Sequence, residues 1–198
     1  MGMLVLVRHG ETAWSSSGRH TGRTDVPLTA TGRRQATALA HRLADLRPVL
    51  VVASPLARAR ETAALAGFDA RIDDRLVEWD YGGYEGLTTP EIRERRGDDW
   101  TLFRHGVVPG ATPGESLEDV AARAAAVLTA IVPALGEGDV VLVAHGHLLR
   151  VLATRWLHLP PEAGAALVLT AASVSRLGHE HDVPAVLSWN EGPAPSDD

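Results

Sequence analysis

The sequence predicts a single-domain α/β fold, a three-layer sandwich whose mostly parallel central sheet carries helices on both faces. Three short apolar runs, at residues 3–7, 49–53 and 140–144, have the length and aliphatic composition of strands buried on both faces. Helical patterns lie between these runs and supply the crossover connections that parallel strands need. A chain of 198 residues, 45% of them apolar, suits one core of ordinary size.

The first half of the chain places two helices between the apolar runs. Residues 14–25 are rich in Ser, Gly and Thr and are expected to form a loop. Leucines at helical spacing then predict a helix over residues 28–46. After the second apolar run, Ser54 and Pro55 are suited to the N-cap and the first residue of the next helix.

The second half begins with a segment rich in glycine, proline and aromatic residues. We expect residues 79–115 to form an irregular insertion over the site, with a short helix at 90–96. Ser116, with Asp119 three residues later, predicts the start of a long helix that reaches residue 134.

The domain is expected to span residues 1–190.

After the third apolar run, a helix is predicted to continue to residue 156. Three shorter strands are predicted at 167–170, 174–177 and 185–188. Residues 191–198 are polar, contain two prolines, and are expected to form a mobile tail.

The composition excludes several classes of function. The chain has no cysteine, which excludes a disulfide scaffold, a thiolate nucleophile and a thiolate metal site. All 19 basic residues are arginine, so Schiff-base chemistry and lysine phosphate loops are excluded as well. A net charge of −6 argues against nucleic-acid and anionic-membrane partners. No apolar run approaches about 20 residues, no secretory signal is recognised, and a cytoplasmic location is expected.

Each predicted parallel strand leads into a candidate functional side chain. Arg8 and His9 follow the first strand, Arg58 lies in the helix after the second, and His145 follows the third. Parallel strands end at a common edge of the sheet, where ligands bind in such folds, so we expect these groups to converge. Gly10 is expected to let the backbone turn sharply and to leave space beside His9. For the first strand alone, two solvated polar residues are an equally good interpretation.

Such a group of side chains suits phosphoryl transfer. A neutral histidine is a good nucleophile near physiological pH, because its reference pKa is about 6.5. Arg8 and Arg58 are expected to clamp the equatorial oxygens of the moving phosphoryl group, where charge must be stabilised. His145 is expected to donate a hydrogen bond to the same oxygens.

Release of an alcohol also needs a general acid, which typically contributes about 10²–10⁴-fold to the rate. Glu78 is the candidate, because it lies beside two aromatic residues in a glycine-rich loop. Asp80 and Glu85 are close rivals, and a solvated loop carboxylate is the alternative interpretation. The need for a protonated acid predicts a pH optimum on the acid side.

Two histidines in the sequence His145-Gly146-His147 invite a metal hypothesis. Without cysteine or a carboxylate triad nearby in the sequence, we predict no metal there. His147 is expected to line the substrate pocket instead.

Together these residues form motifs of a known family. The motifs are Leu6-Val7-Arg8-His9-Gly10-Glu11-Thr12, Thr21-Gly22 with Asp25 and Leu28-Thr29, Ser54-Pro55 with Arg58-Ala59-Arg60-Glu61-Thr62-Ala63, Glu78 with Tyr84-Glu85-Gly86, Gly114-Glu115-Ser116, and Ala144-His145-Gly146. In this order they resemble the histidine phosphatase superfamily, in the branch that includes cofactor-dependent phosphoglycerate mutases. The run at 78–88 is most similar to small acid phosphatases of the mycobacterial type and to sugar-phosphate phosphatases.

The resemblance implies a phosphoglycerate mutase-like fold and a role for each matching residue. It implies that His9 is a phosphohistidine nucleophile and that Glu78 is first a proton donor and then the base that activates water. The phosphate pocket it implies consists of Arg8, Arg58 and His145. The substrate-binding residues it implies are Thr21, Gly22 and Ser15, the last standing where mutases of the family usually have asparagine.

The function predicted is hydrolysis of small phosphomonoesters, similar to that of acid phosphatases, with sugar phosphates or phosphoglycerates as substrates. A mutase must keep water away from the phosphohistidine, and the resemblance associates mutases with a longer insertion and a basic tail. The alternatives are a cofactor-dependent phosphoglycerate mutase and a non-catalytic module that binds phosphorylated ligands. No cofactor and no partner other than the small-molecule substrate are expected, and a homodimer is left open.

Overall fold

The structure is a computed structural model that describes residues 2–192. Within these residues the chain forms six strands and seven α-helices. The strands are β1 (Leu4–Arg8), β2 (Leu50–Ala53), β3 (Arg71–Ile72), β4 (Val140–Ala144), β5 (Val174–Glu180) and β6 (Val183–Glu191). The helices are α1 (Ala13–Ser16), α2 (Ala30–Arg42), α3 (Ala57–Leu65), α4 (Thr89–Arg96), α5 (Leu102–His105), α6 (Leu117–Glu137) and α7 (Gly146–Trp156). Two 3₁₀ helices cover Asp74–Leu76 and Pro161–Ala166.

The strands form one sheet in the order β3-β2-β4-β1-β5-β6. The first four are parallel to one another, whereas β5 and β6 add an antiparallel hairpin at the β1 side. The mostly parallel sheet predicted from the sequence is therefore confirmed, and β4 lies between β1 and β2. This order brings the ends of the three predicted strands to adjacent positions.

Side chains alternate between the two faces of the sheet and form a separate core on each. Leu4 and Leu6 of β1 face the core that includes α6 and α7, whereas Val5 and Val7 face the core that includes α2 and α3. Both faces are covered, which explains why the strand sequences are continuous apolar runs.

Helix α6 is long and apolar enough, by length and composition, to cross a membrane. The sequence predicted no apolar run of this length here, because charged residues such as Arg123 interrupt it. In the fold its buried residues, such as Val120, Ala124 and Ile131, are part of the core on one face of the sheet. Packing in the core accounts for these three residues.

Several predicted boundaries differ from the structure. Ser54 does not cap α3, because that helix begins at Ala57 and its N-cap has no side-chain hydrogen bond. Residues 167–170 form no strand, and the predicted loop at 14–25 begins within helix α1. By contrast, Ser116 and Asp119 form the predicted capping box of α6.

The ends of the second half also differ in detail from the prediction. The insertion at 79–115 contains α4 and the short helix α5. Strand β6 continues through Glu191, so the predicted tail begins at least one residue too early. Residues 193–198 of that tail lie outside the part of the chain that the structure describes.

The loop after β1 packs against the start of α2 through two glycines. A Cβ added to Gly10 would lie 2.4 Å from the carbonyl oxygen of Gly32, and one added to Gly32 would lie 2.1 Å from that of Glu11. The space beside His9 that Gly10 was expected to leave is thus filled by the backbone of α2. Gly10 is needed for close packing and not for a left-handed turn, because its φ is not positive.

Replacement of Gly10 by alanine is therefore expected to destabilise the protein by about 1–3 kcal/mol, the usual cost of overpacking. The control is Gly136→Ala, since Gly136 lies in α6 with open space around it and alanine favours a helix by about 0.5–1 kcal/mol. Urea unfolding of both variants measures the difference. Equal stability of Gly10→Ala and the unchanged protein would contradict the packing argument.

Candidate active site

The carboxyl ends of β1, β2 and β4 place three polar residues side by side. His9, Ser54 and His145 each follow the last residue of one strand. The backbone hydrogen bonds between neighbouring strands continue into this region. The N–H of His9 donates to the Ala144 carbonyl at 3.0 Å, and the N–H of Ser54 donates to the Val143 carbonyl at 3.0 Å. The convergence expected from the sequence is present, with the rings of His9 and His145 5.1 Å apart.

His9 is held in one tautomer by its own loop. Its Nδ1 lies 2.7 Å from the carbonyl oxygen of Gly10, and since a carbonyl only accepts, Nδ1 carries the proton. The other ring nitrogen, Nε2, is then unprotonated. Burial, followed by the charges of Arg8 and Arg58, holds the pKa of His9 well below its usual range. The imidazole therefore keeps its lone pair at acid pH.

His145 lies beneath His9 and is fully buried. Its Nδ1 accepts from Arg58 Nε at 3.2 Å, so Nε2 carries the proton and donates to Ser54 Oγ at 2.7 Å. Burial and then the neighbouring Arg58 charge hold the pKa of His145 well below its usual range. Ser54, which was expected to cap a helix, instead orients this histidine.

Arg58 is also fully buried and is surrounded by backbone oxygens. Its guanidinium donates to the carbonyls of Thr21, Gly22 and Thr24 at 2.8–3.2 Å. Asp25 is its carboxylate neighbour, at 4.0 Å. Neither Arg58 nor His145 lines the cavity in front of His9, and their direct contact with the phosphate stays a prediction. Donors of both side chains are bonded to protein partners instead.

Arg8 faces the cavity and keeps an unused donor. One terminal nitrogen donates to the carbonyl of Leu169, whereas the buried Nε has no hydrogen-bond partner among residues 2–192. An unpaired buried donor is costly. The guanidinium group as a whole lines the cavity, and its planar geometry matches that of a phosphate group.

Glu78 is buried at the N-terminus of α7. Its carboxylate accepts from the backbone N–H groups of His147 at 3.0 Å, Leu148 at 2.8 Å and Trp79 at 2.9 Å. Arg123 stabilises the backbone just before Glu78, because its guanidinium donates to the Val77 carbonyl. Glu78 thus has a defined position in the cavity lining.

The two rival carboxylates have other partners. Asp80 accepts from the Gly82 N–H at 3.0 Å and from the Thr112 hydroxyl at 2.5 Å. Glu85 accepts from the N–H groups of Gly22 and Thr24 at 3.0–3.1 Å. Neither lines the cavity, so among these three only Glu78 is placed to meet a substrate.

The predicted substrate-binding residues divide into two groups. Ser15, Thr21 and His147 line the cavity, although the Ser15 hydroxyl already bonds with the Thr12 backbone. Gly22 is not in the lining, and its role is to give its carbonyl to Arg58. His147 pairs through Nδ1 with the Tyr81 hydroxyl at 2.6 Å, so it and His145 have separate partners.

The cavity has a volume of about 430 Å³ and a strongly cationic lining. It includes two arginines that the sequence reasoning missed, Arg93 of α4 and Arg150 of α7. For Arg150 a signal existed: it lies three residues after His147 in a predicted helix, so the two share a face. For Arg93 the sequence offered none, since its position depends on how the insertion folds back.

A mostly parallel α/β fold with a neutral histidine in an arginine-lined cavity at the strand ends defines a class of enzymes that handle phosphate esters. Comparison with known proteins identifies the family. The family model for the histidine phosphatase superfamily (branch 1) matches residues 4–192. The chain belongs to the histidine phosphatase superfamily.

Individual relatives carry two kinds of name. An acid phosphatase of Mycobacterium tuberculosis is 43% identical over 197 residues, which cover 97% of this chain and 95% of the relative. A Citrobacter koseri protein named probable phosphoglycerate mutase GpmB is 33% identical over 191 residues, which cover 94% of this chain and 89% of the relative. Among solved structures, a mycobacterial glucosyl-3-phosphoglycerate phosphatase complexed with VO3 has a TM-score of 0.83 at 33% identity. The match covers 97% of this chain and 100% of that one. The similarity is greater to the named acid phosphatase than to the named mutase.

The two buried histidines make stability depend on pH. Their pKa values are lowered in the fold, whereas in the unfolded chain they titrate near 6.5. Below that pH the unfolded state binds more protons, so the free energy of unfolding falls by about 1.4 kcal/mol per pH unit for each histidine. The contribution is complete above the unfolded pKa and is lost as the pH falls towards the folded pKa.

Urea unfolding between pH 7.5 and 5, in buffers without phosphate, measures this slope. His145→Asn is expected to remove about 1.4 kcal/mol per pH unit of it, whereas His181→Asn, at an exposed position, serves as the control. An unchanged slope in His145→Asn would contradict the burial of a neutral imidazole.

Proposed function

We propose that this protein is a phosphatase that hydrolyses small phosphomonoesters through a phosphohistidine formed at Nε2 of His9. The observation that carries the proposal is the hydrogen bond from His9 Nδ1 to the Gly10 carbonyl. It leaves Nε2 as the nucleophile in a cavity that Arg8 also lines. The greater similarity to an acid phosphatase than to a named mutase supports the same function.

In the first step the Nε2 lone pair attacks phosphorus. The N–P bond forms as the ester P–O bond breaks, and protonated Glu78 gives its proton to the leaving oxygen. The alcohol leaves, and His9 carries the phosphoryl group. The low pKa of His9 suits this step, because a neutral ring keeps the Nε2 lone pair available for attack.

In the second step a water molecule replaces the alcohol. The Glu78 carboxylate takes a proton from water as its oxygen bonds to phosphorus, and the N–P bond returns its electrons to Nε2. Inorganic phosphate and the starting enzyme result. The same residue serves as acid and then as base, which requires the fixed position that its three backbone donors provide.

Positive charge stabilises the transferring group from two directions. Arg8 lines the cavity, so its guanidinium charge is placed to stabilise the phosphoryl oxygens. Arg58 and His145 act from beneath His9, where the guanidinium charge is held in a buried site and therefore is weakly screened.

The test is turnover of 3-phosphoglycerate, with phosphate release and isomerisation measured in the same reaction. We expect release to exceed isomerisation, because hydrolysis and not return to an acceptor hydroxyl discharges the phosphohistidine. His9→Ala is expected to abolish turnover, and quenching during turnover with ³²P-labelled substrate is expected to leave acid-labile label on His9. His179→Ala is the matched control.

Isomerisation faster than release would instead favour the mutase. Full turnover by His9→Ala would show that the nucleophile lies elsewhere.

Glu78→Gln is expected to separate the two steps. With an alkyl phosphate the rate should fall by about 10²–10⁴-fold, because the leaving oxygen needs a proton. With p-nitrophenyl phosphate, whose leaving group is stable as an anion, phosphorylation of His9 should continue. We therefore expect a burst of p-nitrophenol followed by slow turnover in rapid-quench measurements.

Glu118→Gln on the exposed side of α6 is the control for loss of a carboxylate. Equal loss with both substrates and no burst would make Glu78 a structural residue.

A further inference from the structure

The cavity holds more positive charge than one phosphate ester requires. Four arginines line it, Arg8, Arg19, Arg93 and Arg150, against one carboxylate, Glu78. This excess occurs in a chain with a net charge of −6, so the cations are concentrated at this place.

Two of the four arginines are already assigned. Arg8 serves the phosphoryl group at His9, and Arg19 lies 3.7 Å from the Glu91 carboxylate. Arg93 and Arg150 have no carboxylate within 4.0 Å among residues 2–192. A partly buried cation without a counter-charge is costly unless a ligand supplies one.

Both side chains are oriented by backbone oxygens and not by acids. Arg150 donates to the carbonyls of Gly164 at 2.8 Å and Ala165 at 2.9 Å, and its guanidinium lies 4.7 Å from the centre of the Phe103 ring. Arg93 donates through Nε to the Trp100 carbonyl at 3.1 Å. Each guanidinium keeps a terminal nitrogen without an acceptor in the described part of the chain, and its hydrogen bonds orient the group before any ligand arrives.

We propose that Arg93 and Arg150 form a second anion subsite, and that the preferred substrates carry a carboxylate or a second phosphate besides the phosphoryl group that is cleaved. The inference rests on the proposed function, because it places that phosphoryl group at His9. The substrate class is then phosphorylated acids and bisphosphates, in preference to phosphate esters of neutral alcohols and sugars.

The experiment compares substrates that differ only in the second group. One pair is 3-phosphoglycerate and glycerol 3-phosphate, in which a carboxylate replaces a hydroxymethyl group. The other is fructose 1,6-bisphosphate and fructose 6-phosphate, which tests a second phosphate. We expect kcat/KM to favour the member with the additional charge by at least about tenfold, as for charge-assisted hydrogen bonds.

Arg150→Gln and Arg93→Gln are each expected to reduce that preference about tenfold, mainly through KM. Arg150→Lys should retain part of it, since the charge remains. The matched controls are Arg155→Gln on α7 and Arg95→Gln on α4, because neither residue lines the cavity. They remove one positive charge from the same helices and should leave the preference unchanged.

Three results would overturn the subsite. These are equal kcat/KM values within both pairs, a preference unchanged in both glutamine variants, or equal losses for the charged and neutral members with no recovery in Arg150→Lys. Failure of the proposed function would look different, because no substrate, p-nitrophenyl phosphate included, would then release phosphate, or His9→Ala would stay active.

Discussion

The hydrogen bond between His9 Nδ1 and the Gly10 carbonyl is the interaction on which the rest of the site depends. It fixes the tautomer and aims a lone pair at the cavity. The carbonyl is held in turn because Gly10 packs on the Gly32 backbone with no space for a side chain. A constraint on packing between the first loop and α2 therefore becomes a constraint on which nitrogen can react.

The buried residues Arg58 and His145, which lie next to His9, concentrate positive charge at a cost in stability. Arg58 and His145 are buried where water cannot solvate them, and backbone carbonyls and Ser54 provide only part of the compensation. Burial keeps both histidines neutral, so the guanidinium charge beneath them is not increased by imidazolium. The arrangement without ligand is thus less stable than an apolar core and better prepared for an anion.

The sequence predicted this site where chemistry follows directly from a strand. His9 and His145 each follow a continuous apolar run, so their positions depended only on the strands being parallel neighbours, which they are. Ser54 and Arg58 show the limit of that reasoning. The preference of serine for helix N-caps predicted the wrong role for Ser54, whose hydroxyl instead bonds with His145 at 2.7 Å. The carbonyls around Arg58 come from a loop whose sequence has no periodic pattern. Long-range contacts decided both positions.

Helix α7 shows why the acid and the cations are placed together. Its first N–H groups hold Glu78, and one turn later Arg150 lines the cavity. A helix N-terminus favours negative charge. One rigid element therefore holds the Glu78 carboxyl group and carries Arg150 in the lining of the same cavity, so a change in the docking of α7 alters both functions together.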